Sequence, residues 1–238
     1  MIDGKKILAI IPAREGSVRL VNKNILPMAS KPLIQWTIIS AKKSKYIDDI
    51  VISTDSKKII DLVKKISSNL LLIKRPKYLS LSTTKSESVV FHTLKYVKKK
   101  TLFDYDYFIL LQPTSPLRHF KLIDKALMLY RINKNINSLV SVSKNYSKLN
   151  NKVSIKKNGF IKKITKTENK LSKSNQISIN GSIYLGNIKD FLKVQNFFLD
   201  NCLPFLMQKT YSIDIDTIND FKNAEKKLSL SYIKKFYD

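Results

Sequence analysis

One cysteine, Cys202, stands among 238 residues, so no disulfide can form within the chain and nothing points to an oxidising compartment. Long hydrophobic runs are missing as well. None approaches the length of a membrane span, and the first, residues 7–11, is too short for the core of a secretory signal. These absences predict a cytoplasmic protein that does not cross a membrane. Acids are scarce: 18 stand against 44 basic residues, a net charge of +26. Within that basic excess arginine is scarce too, with only Arg14, Arg19, Arg75, Arg118 and Arg131. The lysines fall in runs such as KKSK (42–45) and YVKKK (96–100), the pattern of solvated helix faces. No RNP-type aromatic motif and no Cys/His finger accompanies them, so the charge alone does not select nucleic acid as a partner.

No internal repeat or low-complexity linker divides the chain, and 43% apolar content suffices for one sizeable core. A single domain over residues 1–238 is the expectation. Residues 7–11 (ILAII) read as a strand buried on both faces of a parallel sheet, ended by Pro12. The loop that follows carries Arg14, Gly16, Ser17, Arg19 and Lys23 against one acid, Glu15. Backbone N–H groups, a hydroxyl and cations are the chemistry of a phosphate cradle. The spacing is neither G-x-x-x-x-G-K-[ST] nor G-x-G-x-x-G, and an ordinary charged strand-to-helix loop would read the same way.

Further along, the periodicity predicts helices over 31–44, 57–67, 86–100 and 120–132, and strands over 48–55, 70–73 and 107–111. Alternating strands and helices imply an α/β fold with a mostly parallel sheet and right-handed crossovers. In such sheets ligands sit beyond the carboxyl ends of the strands. Both the Arg14 loop and the QPTSPLR loop (112–118) fall there. Residues 139–142 and 177–185 return as strands. Between them a lysine-rich stretch predicts a hairpin at Asn158-Gly159, and residues 144–200 are read as including an arm. The last strand, 211–216 (YSIDID), puts Asp214 and Asp216 on one face, followed by a helix capped by Thr217. Two carboxylates there can hold Mg2+ or simply cap the helix.

Taken together, IIPAREGSVRLVNKN, VISTDS, KRPKYL, LLQPTSPLR, NGSIYL and SIDIDTINDFKNAE resemble, in this order, the acylneuraminate cytidylyltransferases. The resemblance runs over residues 7–228 and implies a Rossmann-like, three-layer nucleotide-diphospho-sugar transferase fold with a dimerisation arm. The reaction it implies is CMP transfer from CTP to a nonulosonic acid, with release of pyrophosphate. The alternatives are a related 2-keto acid such as 3-deoxy-octulosonate, or a binding-only homologue. The resemblance assigns the triphosphate and ribose to Arg14, Ser17, Lys23 and Asn24, and the cytosine to Arg75, Thr84 and Ser86. Gln112, Thr114, Ser115, Tyr184 and Lys170 would meet the sugar acid, and Phe197 and Phe198 the acyl group of the sugar on a partner subunit, which implies a homodimer. Asp214 and Asp216 would bind Mg2+. Catalysis would rest on Arg14, Arg19, Lys23 and Asp216. The pattern departs from the family at Val18, where a lysine is usual, and at Ser82, where an acid is usual. Arg19 is expected to supply the missing cation.

Overall fold

The computed structural model describes residues 1–17, 19–101, 104–144, 152–163 and 177–237. Its strands are β1 (Ile7–Pro12), β2 (Pro27–Met28), β3 (Lys31–Pro32), β4 (Asp49–Thr54), β5 (Leu71–Lys74), β6 (Tyr107–Leu111), β7 (Ser138–Lys144), β8 (Lys152–Ile155), β9 (Ile161–Lys163), β10 (Ile177–Asn187) and β11 (Cys202–Leu206). Its helices are α1 (Leu33–Lys43), α2 (Lys57–Ile66), α3 (Ser86–Lys100), α4 (Phe120–Ile132), α5 (Ile188–Val194), α6 (Ile218–Leu228) and α7 (Ser231–Lys234).

The main sheet has the order β11-β7-β10-β6-β1-β4-β5. Strands β5, β4, β1 and β6 are parallel, and β10 runs antiparallel between β6 and β7. The mostly parallel mixed sheet expected from the strand and helix alternation is therefore present. Strand β1 lies inside it between β6 and β4, and its side chains alternate between two cores. Ile7, Ala9 and Ile11 pack with α1, α2 and α4 residues such as Ile38, Val63 and Ile123. Leu8 and Ile10 pack with Val90, Leu94 and Phe191 of α3 and α5. Both faces of the run are covered, which gives three layers.

Three of the sequence readings change and one helix cap is added. Lys31 and Pro32 belong to the two-stranded β2–β3 ribbon, so α1 begins at Leu33. The N-cap of α2 is Ser56, whose hydroxyl accepts the Ile59 N–H, while Thr54 Oγ1 accepts the Ser56 N–H. Strand β11, absent from the sequence reading, closes the sheet edge against β7. The stretch 211–216 is not a strand: a three-ten turn at Lys209–Tyr211 leads into an irregular run in which the Ile215 N–H donates to Thr114 O and the Ile215 carbonyl accepts from Lys23. Hairpin β8–β9 turns through Asn158 and Gly159, as the dipeptide predicts, with Gly159 at φ 83°. Strand β10, within residues 144–200, is an inner strand of the main sheet. Among the described residues, no helix is long and apolar enough to cross a membrane.

Candidate active site

Three loops leave the carboxyl ends of β1, β5 and β6, and with Asp216 they wall a cleft of about 630 Å³. The order β5-β4-β1-β6 lays its chemistry out in a row. The β5 loop brings Arg75, Thr84 and Ser86, with the apolar Leu79 and Leu81. The β1 loop brings Arg14, Ser17, Arg19, Lys23 and Asn24 to the middle, and the β6 loop brings Gln112 and Thr114 to the far end. Residues far apart in sequence thus meet because parallel strands deliver all their following loops to one edge.

The β1 loop is stitched from within. Asn22 takes a left-handed turn, φ 55°, into the three-ten helix Lys23–Ile25, and Asn24 Nδ2 donates to Arg14 O at 3.0 Å. Its cations converge on one carboxylate: Arg19 lies 3.4 Å and Lys23 3.9 Å from Asp216. Lys23 Nζ also donates to Ile215 O at 2.6 Å. The acidic segment is fixed without a sheet ladder. Ile215 is buried in a third core with Trp36, Leu117 and Phe221, and its N–H donates to Thr114 O at 2.8 Å. The buried Asn180 amide donates to Ser212 Oγ at 3.1 Å, tying the segment to β10.

Arg75 is buried at the β5 end. Its Nε donates to Ser80 Oγ at 3.2 Å and its NH2 faces Asp55 at 3.7 Å. Burial holds the guanidinium below its usual pKa, and Asp55 offsets this. At the β6 end, Thr114 Oγ1 donates to Gln112 Oε1 at 3.5 Å. Gly181, at φ 75°, lets the β10 bulge pass close to that amide: a Cβ there would stand 3.4 Å from Gln112 Oε1.

Arg118, quoted in the sequence motif but given no role there, holds this end together. It is fully buried, and among the described residues no carboxylate pairs with it. Its NH1 donates to Gln112 O at 3.1 Å and Ser182 O at 2.9 Å, and its NH2 donates to Thr37 Oγ1 at 2.9 Å. Desolvation lowers its pKa to about 10, so it remains charged. Tyr237, from the turn after α7, donates to Pro116 O at 2.6 Å and clamps the same loop. Its place in QPTSPLR as one of only five arginines is the sequence signal that could have singled out Arg118, while its burial and its clamp come from packing.

Other expected residues lie elsewhere. Ser115 is buried and does not line the cleft. Tyr184 packs on Phe197, centroids 4.6 Å apart, and burial with nearby Asp214 and Glu87 raises its phenol pKa. Phe197 is buried in its own chain's core against Phe191 and Phe108, and Phe198 is half-buried beside that core. Asp216 lines the cleft, whereas Asp214 does not. Lys170 and Val18 lie outside the described residues. Ser82 lines the cleft on the β5 side. Among the described residues, no three His, Cys, Asp or Glu side chains group to hold a metal ion. Asp216, a carboxylate within the cationic cleft, is still the right donor for a hard cation that takes its other ligands from substrate phosphates and water.

The architecture is an α/β fold with a cationic cleft at the carboxyl edge of its parallel strands. A family model described as Cytidylyltransferase matches residues 8–237, and the chain belongs to that family. An N-acylneuraminate cytidylyltransferase of Escherichia coli is 34% identical over 226 residues, 92% of this chain and 51% of that protein. A CMP-N,N'-diacetyllegionaminic acid synthase of Legionella pneumophila is 34% identical, covering 95% of this chain and 97% of that one. The chain thus spans about half the length of the first relative and nearly all of the second. Among solved structures, a CMP:2-keto-3-deoxy-manno-octonic acid synthetase complexed with CTP shares the fold, with a TM-score of 0.73 at 12% identity over 94% of this chain and 99% of that one.

Proposed function

We propose that this protein transfers CMP from CTP to a nonulosonic, sialic-type acid and releases pyrophosphate, using Mg2+, as a cytoplasmic homodimer. The observation that carries the reading is the row of chemistry along the cleft. Apolar faces with hydroxyls and a buried guanidinium at the β5 end suit a pyrimidine ring. The cations of the β1 loop suit a triphosphate, and the amide and hydroxyl at the β6 end suit a polyhydroxy acid. Four cations against one carboxylate leave the cleft positive, as a triphosphate and a sugar carboxylate require. The relatives named for sialic- and legionaminic-type acids support the choice of acceptor.

The anomeric hydroxyl attacks the α-phosphorus and gives its proton to water, the new P–O bond forms, and the bond from the α-phosphorus to the bridging oxygen breaks so that pyrophosphate leaves. Arg14, Lys23 and Arg19 neutralise charge on the phosphates, and Ser17 with the loop N–H groups holds their oxygens. Asp216 at the cleft wall would hold Mg2+, which would supply neutralisation of phosphate charge, while Asp214 stands outside the lining. Gln112 and Thr114 orient the acid. Arg19 stands beside Asp216 and takes the part of a cation that position 18 does not supply. Arg19→Ala is expected to abolish turnover while the chain still folds; activity that survives the change contradicts this role.

The dimer reading is supported by the exposed Leu206 on the edge strand β11. Sedimentation at twice the 27.5 kDa chain mass checks it, and a monomer at micromolar concentration contradicts it.

A further inference from the structure

Asp55 lies one residue past the end of β4, between the two loops that would hold the two ends of a nucleotide. One of its oxygens, Oδ1, serves both loops. It accepts the Glu15 N–H of the β1 loop at 3.0 Å and faces Arg75 NH2 of the β5 loop at 3.7 Å. The contact closes a ring. Arg75 Nε donates to Ser80 Oγ at 3.2 Å, and Arg14 NH1 reaches the same residue's carbonyl at 3.5 Å. Arg14 and Glu15 are neighbours in the chain, so the ring returns to Asp55. Within it Arg75 NH2 is buried and makes no hydrogen bond; its approach to Asp55 is longer than one. That nitrogen is held by the charge of Asp55 rather than by a hydrogen bond. Arg75 also lines the cleft, where the carbonyl oxygen and ring nitrogen of a pyrimidine are acceptors for a guanidinium.

We propose that Asp55 is a positioning residue that couples base reading to phosphate binding. Its carboxylate aims the Arg75 guanidinium at the base, and the same oxygen holds the backbone of the phosphate loop at Glu15. The inference rests on the nucleotide reading of the cleft given above. It makes pyrimidine choice depend on a residue that need touch neither base nor phosphate.

Calorimetric titration of the full chain with CTP, UTP and inorganic triphosphate tests this. Measurable CTP binding by the unaltered protein is the control for the nucleotide reading itself, so its loss is distinguishable from failure of the coupling. Asp55→Asn keeps an oxygen for the Glu15 N–H and removes the charge that faces Arg75. It is expected to lower the preference for CTP over UTP by roughly tenfold, the worth of one charge-assisted hydrogen bond, while triphosphate affinity stays within about twofold. Asp55→Ala removes both contacts and is expected to weaken triphosphate as well. An unchanged CTP-to-UTP ratio in Asp55→Asn overturns the proposal, as does an equal loss for CTP and triphosphate. Should the Asp55 variants fail to fold, Ser80→Ala removes the other side-chain contact of the guanidinium and leaves the carbonyl that Arg14 meets. It must then lower the same ratio, and a ratio equal to that of the unaltered protein overturns the coupling.

Discussion

Arg118 has the most to lose from a small chemical change. Its planar fork spans two carbonyls and a hydroxyl from three separate elements, and lysine cannot copy that geometry. Arg118→Lys keeps the charge but leaves at least one buried acceptor unpaired. A loss of about 2 kcal/mol follows, a fall in Tm of roughly 4–8 °C for a chain of this length, read by thermal melting. An unchanged Tm contradicts the clamp. The neighbouring His119 gives a pH signature. Its ring stacks on Phe236, centroids 3.9 Å apart, and burial together with Lys121 and Lys125 lowers its pKa to about 4. In the unfolded chain the ordinary value is about 6.5, so between the two values the unfolded state binds the extra proton. The stability from keeping His119 neutral is complete above pH 6.5 and is lost as pH falls toward 4, amounting to about 3 kcal/mol. His119→Phe keeps the stack and is expected to flatten that part of the stability–pH curve in denaturant titrations. A curve parallel to that of the unaltered protein contradicts the assignment.

At the scale of elements, the cleft depends on where loops are pinned to one another. The β10 bulge at Gly181 is one such pin, since only a residue tolerant of positive φ brings the strand against Gln112. Gly181→Ala is expected to cost about 1–2 kcal/mol in stability and to raise the KM for the acid more than that for CTP. Equal KM changes contradict a role confined to the β6 end. The same elements show what was legible beforehand. Helices α3 and α4 and strand β6 lie where periodicity placed them, because a two-faced sheet imposes an apolar pattern that the sequence carries openly. The 211–216 segment alternates like a strand yet pairs with none. Its partners are Lys23, Thr114 and Asn180, contacts between distant loops that leave no period. Strand β11 escaped because its five residues include Pro204 and sit at an edge, where pairing with β7 decides the matter. In the cleft, residue types could be read from the motifs, but the burial of Ser115 and Phe197 and the clamp made by Arg118 come only from packing.

Over the whole molecule, net charge and function part company. The lysines that produce +26 are spread along helix ends and faces, for example Lys98, Lys99 and Lys100 in the last turn of α3, where they favour the helix dipole. Three of the five arginines, by contrast, line one cleft and a fourth holds its wall from behind. That concentration, set on a parallel sheet whose loops all open to one edge, is what the proposed cytidylyl transfer draws on and what scattered lysines alone do not supply. The most direct test is pyrophosphate release with CTP and Mg2+, using N-acetylneuraminic, legionaminic, pseudaminic and 3-deoxy-octulosonic acids in parallel. The account predicts release that requires both CTP and one of the three nonulosonic acids, stops on chelation, and shows that valine at position 18 is tolerated. CTP binding without release for any acid would contradict it and leave a binding protein in place of an enzyme.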